Sequence, residues 1–126
     1  MSSPTEIKLK ITLGRDTPDE VIKYLKKCIE SNRELTPFTD HEFFRCNRWE
    51  WMFNHMGYKG YLEPSIKEIP RGWELIVHTD INYESGEIEE FVNWLRPFVW
   101  GRRKRVYLGW YERDWSTEKK NVYLNR

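Results

Sequence analysis

The sequence has 126 residues, 33% of them charged and 39% hydrophobic, and its 21 Lys and Arg against 20 Asp and Glu give a formal net charge of +1. That balance excludes a chain drawn to polyanions by global charge, and two cysteines, Cys28 and Cys46, are too few for a disulfide framework. The length fits one domain over residues 1–126. With 16% of residues aromatic, the core is expected to be built largely from Trp, Tyr and Phe, each burying on the order of 150–250 Å².

Met1 to Glu6 has no basic stretch followed by an apolar run. No segment approaches the roughly 18–20 apolar residues that cross a bilayer. The expectation is a cytoplasmic protein with no membrane partner.

In chain order, Ile7, Leu9, Ile11 and Leu13 alternate with Lys8, Lys10 and Thr12, the period of a one-sided strand ended by Gly14. Thr17-Pro18-Asp19-Glu20 signals a helix start, with a capping Thr, Pro at the first helical position and Glu three residues after the cap. Val21, Ile22, Leu25, Cys28 and Ile29 form that helix's buried stripe, and Lys23, Lys26 and Lys27 face water. Thr36-Pro37 breaks the chain, and Thr39-Asp40-His41-Glu42 caps a short helix through Phe43, Phe44 and Cys46. From Arg48 to Phe53, Trp49, Trp51 and Phe53 alternate with Arg48, Glu50 and Met52, which predicts a strand.

Gly57 and Gly60 mark a turn. Tyr61 to Ile69 is expected to pair with Trp73 to Tyr83 through the turn Pro70-Arg71-Gly72. Pro64 lacks a ladder donor and places this strand at an edge or interrupts it there. Glu84, Glu87, Glu89 and Glu90 crowd the start of a second helix, where carboxylates complement its dipole. Ile88, Phe91, Val92, Leu95 and Phe98 line one face, and Pro97 makes the helix kink or restart near Arg96. After Gly101 and the basic run Arg102 to Arg105, Val106, Leu108 and Trp110 alternate with Tyr107 and Tyr111, and Asn121 to Leu124 returns as a last strand. The sum is β-α-β-β-α-β, an α+β two-layer sandwich with two helices on one face of a largely antiparallel sheet, ferredoxin-like or related.

Chemistry-bearing residues are sparse. His78 and Asp80 project from the same polar side of the central strand, and a carboxylate beside an imidazole is half of a general-base pair. No nucleophile with a recognisable signature accompanies them, and solvated His and Asp are common on a one-sided sheet. His41, Cys46 and His55 match no zinc spacing, so no metal or other cofactor is implied. Gly57-Tyr58-Lys59-Gly60 fits a bare G-x-x-G, but a strand-like run follows where the loop should join two helices. Tyr107, Tyr111 and Arg113, beside Arg102, Arg103 and Arg105, are candidates for stacking bases and holding phosphates on an open sheet face. The plainer reading of the basic run is the solvated entry to a strand. No phosphate-cradling glycine loop and no H-E-x-x-H are present.

Arg48-Trp49-Glu50-Trp51-Met52, taken with Glu87 to Pro97, resembles a group of small bacterial proteins without an assigned activity, over about the C-terminal two thirds of the chain. The resemblance implies a bacterial, cytoplasmic, single-domain protein and brings no catalytic residue with it.

The function expected first is a small non-catalytic interaction module that binds another protein or a second copy of itself. Trp49, Trp51, Trp100, Trp110 and Trp115 exceed what a core this size easily holds, so some are expected at the surface. Trp110, Tyr107, Tyr111, Trp49 and Trp51 with Arg102, Arg103 and Arg105 are its binding candidates. A single-stranded nucleic-acid binder using the open sheet face is the alternative, and an enzyme centred on His78 and Asp80 is the third reading.

Overall fold

The computed structural model of the chain describes residues 4–31, 35–46, 48–54, 59–82, 86–113 and 118–126. His55, Gly57, Tyr58, Tyr83, Glu84 and Trp115, which figure in the expectations above, lie outside the described residues. Five strands form one sheet: β1 (Pro4–Gly14), β2 (Ser65–Ile69), β3 (Gly72–Asn82), β4 (Arg105–Arg113) and β5 (Lys120–Asn125). Two helices, α1 (Asp19–Ser31) and α2 (Glu87–Leu95), accompany them. The strand order is β2-β3-β1-β4-β5, antiparallel throughout. The first four strands in the order 2-3-1-4 are compatible with a ferredoxin-like arrangement, and β5 adds a strand beyond β4.

β1 lies at the centre of the sheet, and no proline or glycine between Thr5 and Leu13 interrupts either of its ladders. Its register sets Ile7, Leu9 and Ile11 opposite Thr79, Val77 and Leu75 of β3. Ile7, Leu9, Ile11 and Leu13 are fully buried, each worth about 1.5–3 kcal/mol relative to exposure. The helices cover this face with Val21, Ile22, Leu25 and Cys28 from α1 and Ile88, Phe91, Val92, Trp94 and Leu95 from α2.

β2 begins directly after Pro64 and runs along the sheet edge. α2 gives way to a short 3-10 turn, Arg96–Phe98, at Pro97. Beyond it the chain is extended, and Val99 bridges to Leu13 while Trp100 N donates to Thr12 O at 2.8 Å.

The segment Trp49–Phe53 is a 3-10 helix and not the expected strand. Arg48 at φ 58°, ψ 37° turns the chain out of the extended region just before it. Trp51 N then donates to Arg48 O and Asn54 N to Trp51 O. Burial falls on Trp49, Met52 and Phe53, at helical spacing, while Trp51 is half-buried beneath the Arg48 guanidinium. The alternating aromatics matched a strand by coincidence. Glu42–Arg45 is a second 3-10 helix, with His41 Nδ1 accepting from Phe43 N at 3.0 Å as its cap.

These two turns carry Phe43, Phe44, Trp49 and Phe53 against Phe91 and Trp94 of α2 and Tyr24 of α1. Much of the aromatic surplus is spent here, inside the helical layer. Trp49 is buried and is corrected from surface contact to core residue.

Candidate functional site

The face of the sheet away from the helices presents Glu6, Lys8, Lys10 and Thr12 from β1 beside Asp80, His78, Ile76 and Glu74 from β3. His78 is not solvated as expected; it is 5% exposed. The chain ahead of β2 folds over it. Tyr61 stacks on the imidazole with centroids 4.1 Å apart and planes 9° apart, and its hydroxyl donates to Asp80 Oδ1 at 2.6 Å. Leu62 N donates to His78 Nδ1 at 3.0 Å, and His78 Nε2 lies 2.6 Å from Glu6 Oε2. Because Nδ1 accepts a backbone N–H, Nε2 carries the ring proton and donates it in a hydrogen bond to Glu6 Oε2. Both nitrogens are engaged and a ring covers the face, so the pair holds a loop onto the sheet. Tyr61→Phe is expected to cost about 1–2 kcal/mol and to speed hydrogen exchange at the Leu62 amide; unchanged exchange would remove this account of the loop.

A different site forms where β1 changes partners. β4 pairs with β1 only as far as Leu9↔Gly109, and Val99–Trp100 takes over at Leu13 and Thr12. The gap between the two pairings is a cleft of about 1000 Å³. Its walls carry Trp100, 45% exposed, and Tyr107, 53% exposed. Lys10, Arg71, Arg102 and Arg103 line it against one carboxylate, Asp16. Four cations to one anion, in a chain of net charge +1, leave the remaining surface slightly negative, so the positive field is concentrated here.

The cleft is built from several elements. Arg71, in the β2–β3 turn, lays its guanidinium over Trp100 at 4.5 Å. Arg126 holds the loop that carries Trp100, Arg102 and Arg103: its guanidinium donates to Val99 O at 2.8 Å, to Arg103 O at 3.1 Å and to Gly101 O. Lys10, itself exposed, lies 3.6 Å from Glu74, a carboxylate it shares with Lys67. Arg102 and Arg103 make no ion pair among the described residues.

A β-bulge separates Tyr107 from Gly109 and reverses the alternation of β4. Val106 faces the helices and Tyr107 the open side before it; Trp110 faces the open side and Tyr111 the helices after it, since Trp110 lies opposite Lys8 and Tyr111 opposite Ile7. Tyr111, expected beside Tyr107, is thereby corrected to the helical side, where it packs against the core; Arg113, opposite the buried Thr5, goes with it. Arg105 stays on the open face, 3.7 Å over Tyr123, and Tyr123 meets Tyr107 edge-on at 5.5 Å. Trp110 carries Lys119 Nζ 4.1 Å from its ring centroid.

Of the expected site residues, the cleft and its neighbouring face bring together Tyr107, Trp110, Arg102, Arg103 and Arg105. Trp49, Trp51 and Tyr111 are elsewhere. Lys10 and Arg71 were not anticipated, and no local pattern marks them; they enter through sheet register and a hairpin turn. The Cys28 and Cys46 thiols are each pushed up to about 11, chiefly by burial, with the carboxylates around Cys46 adding to it. Both thus stay protonated and inert at neutral pH. His41 is occupied as a helix cap, and Cys46 Sγ donates to Glu42 O at 3.5 Å.

Among the described residues no helix is long and apolar enough to cross a membrane. Compared with family models, with curated proteins and with solved structures, the chain matches none of them.

Proposed function

We propose that this chain is a non-catalytic binding module that takes an anionic partner into the cleft between Val99–Arg103 and β4. The observation that carries this reading is the pairing of Trp100 and Tyr107, each about half exposed, with four cations on the walls of one cleft. Large apolar rings left in water at a concave, basic surface are what a partner site offers and a self-sufficient fold does not need. The engaged nitrogens of His78 support binding over catalysis, because a general base needs a free lone pair directed at substrate. Two buried, unlinked cysteines fit a reducing cytoplasm.

The test is an NMR titration of the amide spectrum with a heparin hexasaccharide as a generic polyanion at low salt. Shifts are expected at Thr12–Gly14, Val99–Arg103 and Val106–Leu108. Reversing two charges, Arg102→Glu with Arg103→Glu, is expected to weaken binding about tenfold or more, and added salt to weaken it likewise. Shifts scattered over the surface, or none, would overturn the reading.

A further inference from the structure

We propose that the anionic partner is single-stranded nucleic acid, with bases stacked on Trp100 and Tyr107 and phosphates held by Lys10, Arg102 and Arg103. This rests on the binding reading above and goes further by naming the ligand's chemistry.

Charge alone would recognise any polyanion; the rings are what narrow the class. Three of the aromatic groups at the site stand with a cation: Arg71 over Trp100 at 4.5 Å, Arg105 over Tyr123 at 3.7 Å, Lys119 by Trp110 at 4.1 Å. Tyr107 joins this series edge-on through Tyr123. A track of alternating π-face and positive charge therefore runs from the cleft along the outer face of β4 and β5. A nucleotide strand repeats the complementary pair, a flat base and a phosphate. An acidic peptide supplies only the charge and would leave Trp100 and Tyr107 in water. A duplex hides its base faces inside its own stack and cannot use the rings.

Rigidity also favours stacking. The guanidinium on Trp100 and the Tyr123 edge against Tyr107 limit ring motion before any ligand arrives, so little freedom is lost on binding. Arg126 does the same for the loop backbone through Val99, Gly101 and Arg103. Over the central strands the Tyr61 ring is already spent on His78, and Trp110 meets that imidazole edge-on. The platform lies instead on the outer strands, and its small extent suits a footprint on the order of four nucleotides.

The experiment is fluorescence anisotropy at low salt with end-labelled octamers: oligothymidylate, oligouridylate, an abasic octamer with the same phosphates, and a thymidylate–adenylate duplex. Polyglutamate serves as an unlabelled competitor. Both single strands are expected to bind, and the abasic strand and duplex about tenfold or more weaker. Trp100→Ala and Tyr107→Ala should each weaken single-strand binding by about fivefold to a hundredfold and leave abasic binding unchanged. Trp100→Phe should recover most of the loss. Circular dichroism melts confirm that the variants fold, as expected for exposed rings. A preference between the two single strands tells RNA from DNA as the source. Equal binding of abasic and base-bearing strands, or more effective competition by polyglutamate than by oligothymidylate, would overturn the nucleic-acid proposal and leave the anionic cleft standing. If no anion binds at all, both fall.

Discussion

Gly109→Ala is expected to destabilise the protein by on the order of 3 kcal/mol or more. Gly109 sits at φ +151° in the β4 bulge, where β1 approaches so closely that an added Cβ would lie 2.0 Å from Lys8 O and 2.9 Å from Leu9 Cα. Both obstacles are backbone of the central strand, so the strain cannot be relieved by turning a side chain aside. Either β4 moves off β1 or the bulge collapses, and the collapse would turn Trp110 inward and Tyr111 outward. Urea unfolding gives the measurement, with Gly60→Ala as control: Gly60 is at φ +89° with open space around it, and its substitution should cost only about 1 kcal/mol. Equal losses at the two sites would mean that β1 and β4 are not in close contact. Because the cleft opens where β1 and β4 part, Gly109→Ala should also abolish oligonucleotide binding in whatever fraction remains folded.

Phe43→Ala is expected to cost about 3–5 kcal/mol. The ring is fully buried and lies nearly parallel to Trp94, with centroids 5.8 Å apart and planes 8° apart. It also meets Phe44, Trp49 and Phe91 within 5.8 Å. Removing it leaves a void that four rigid rings cannot refill, so the cavity term is retained in full. The substitution also decides whether the 3-10 segments are a surface excursion or part of the core. A loss below about 1 kcal/mol would mean the former. Phe43→Leu, which keeps much of the volume, should be distinctly milder.

The legibility of this chain follows the range of each interaction. β1, the Pro70-Arg71-Gly72 hairpin, α1 and the restart at Pro97 were readable because each is set by residues within a few positions of one another. The face of Tyr111 was not, because a single unpaired residue in β4 reverses every later side chain, and Gly109 alone does not say whether it marks a bulge or a loose strand. The 48–53 segment failed for a related reason: Trp49, Trp51 and Phe53 suit a strand, and only the left-handed turn at Arg48 and the waiting surface of α2 decide otherwise. The basic run and Tyr107 were visible candidates for a binding face. The cleft was not, since Lys10, Arg71 and Trp100 meet only after three separate strand pairings are in place. His78 looked solvated because Tyr61 and Leu62 cover it from the far side of a hairpin.

The position of β1 has a consequence for how the chain is made. It is the first of the five strands to emerge in synthesis and the one that waits longest for its partners: Ile7 awaits Thr79 on one side and Tyr111 on the other. At translation speeds of 5–20 residues per second, roughly five to twenty seconds pass before both partners exist. During that interval the alternating Ile7, Leu9, Ile11 and Leu13 form an apolar edge without a sheet, while Lys8 and Lys10 between them provide the charge that discourages pairing with another nascent chain. Long-range pairing of this kind places refolding in the slow range for a small domain, milliseconds to seconds. Lys8 and Lys10, on the outer face of the finished sheet, thus have a role before the sheet exists.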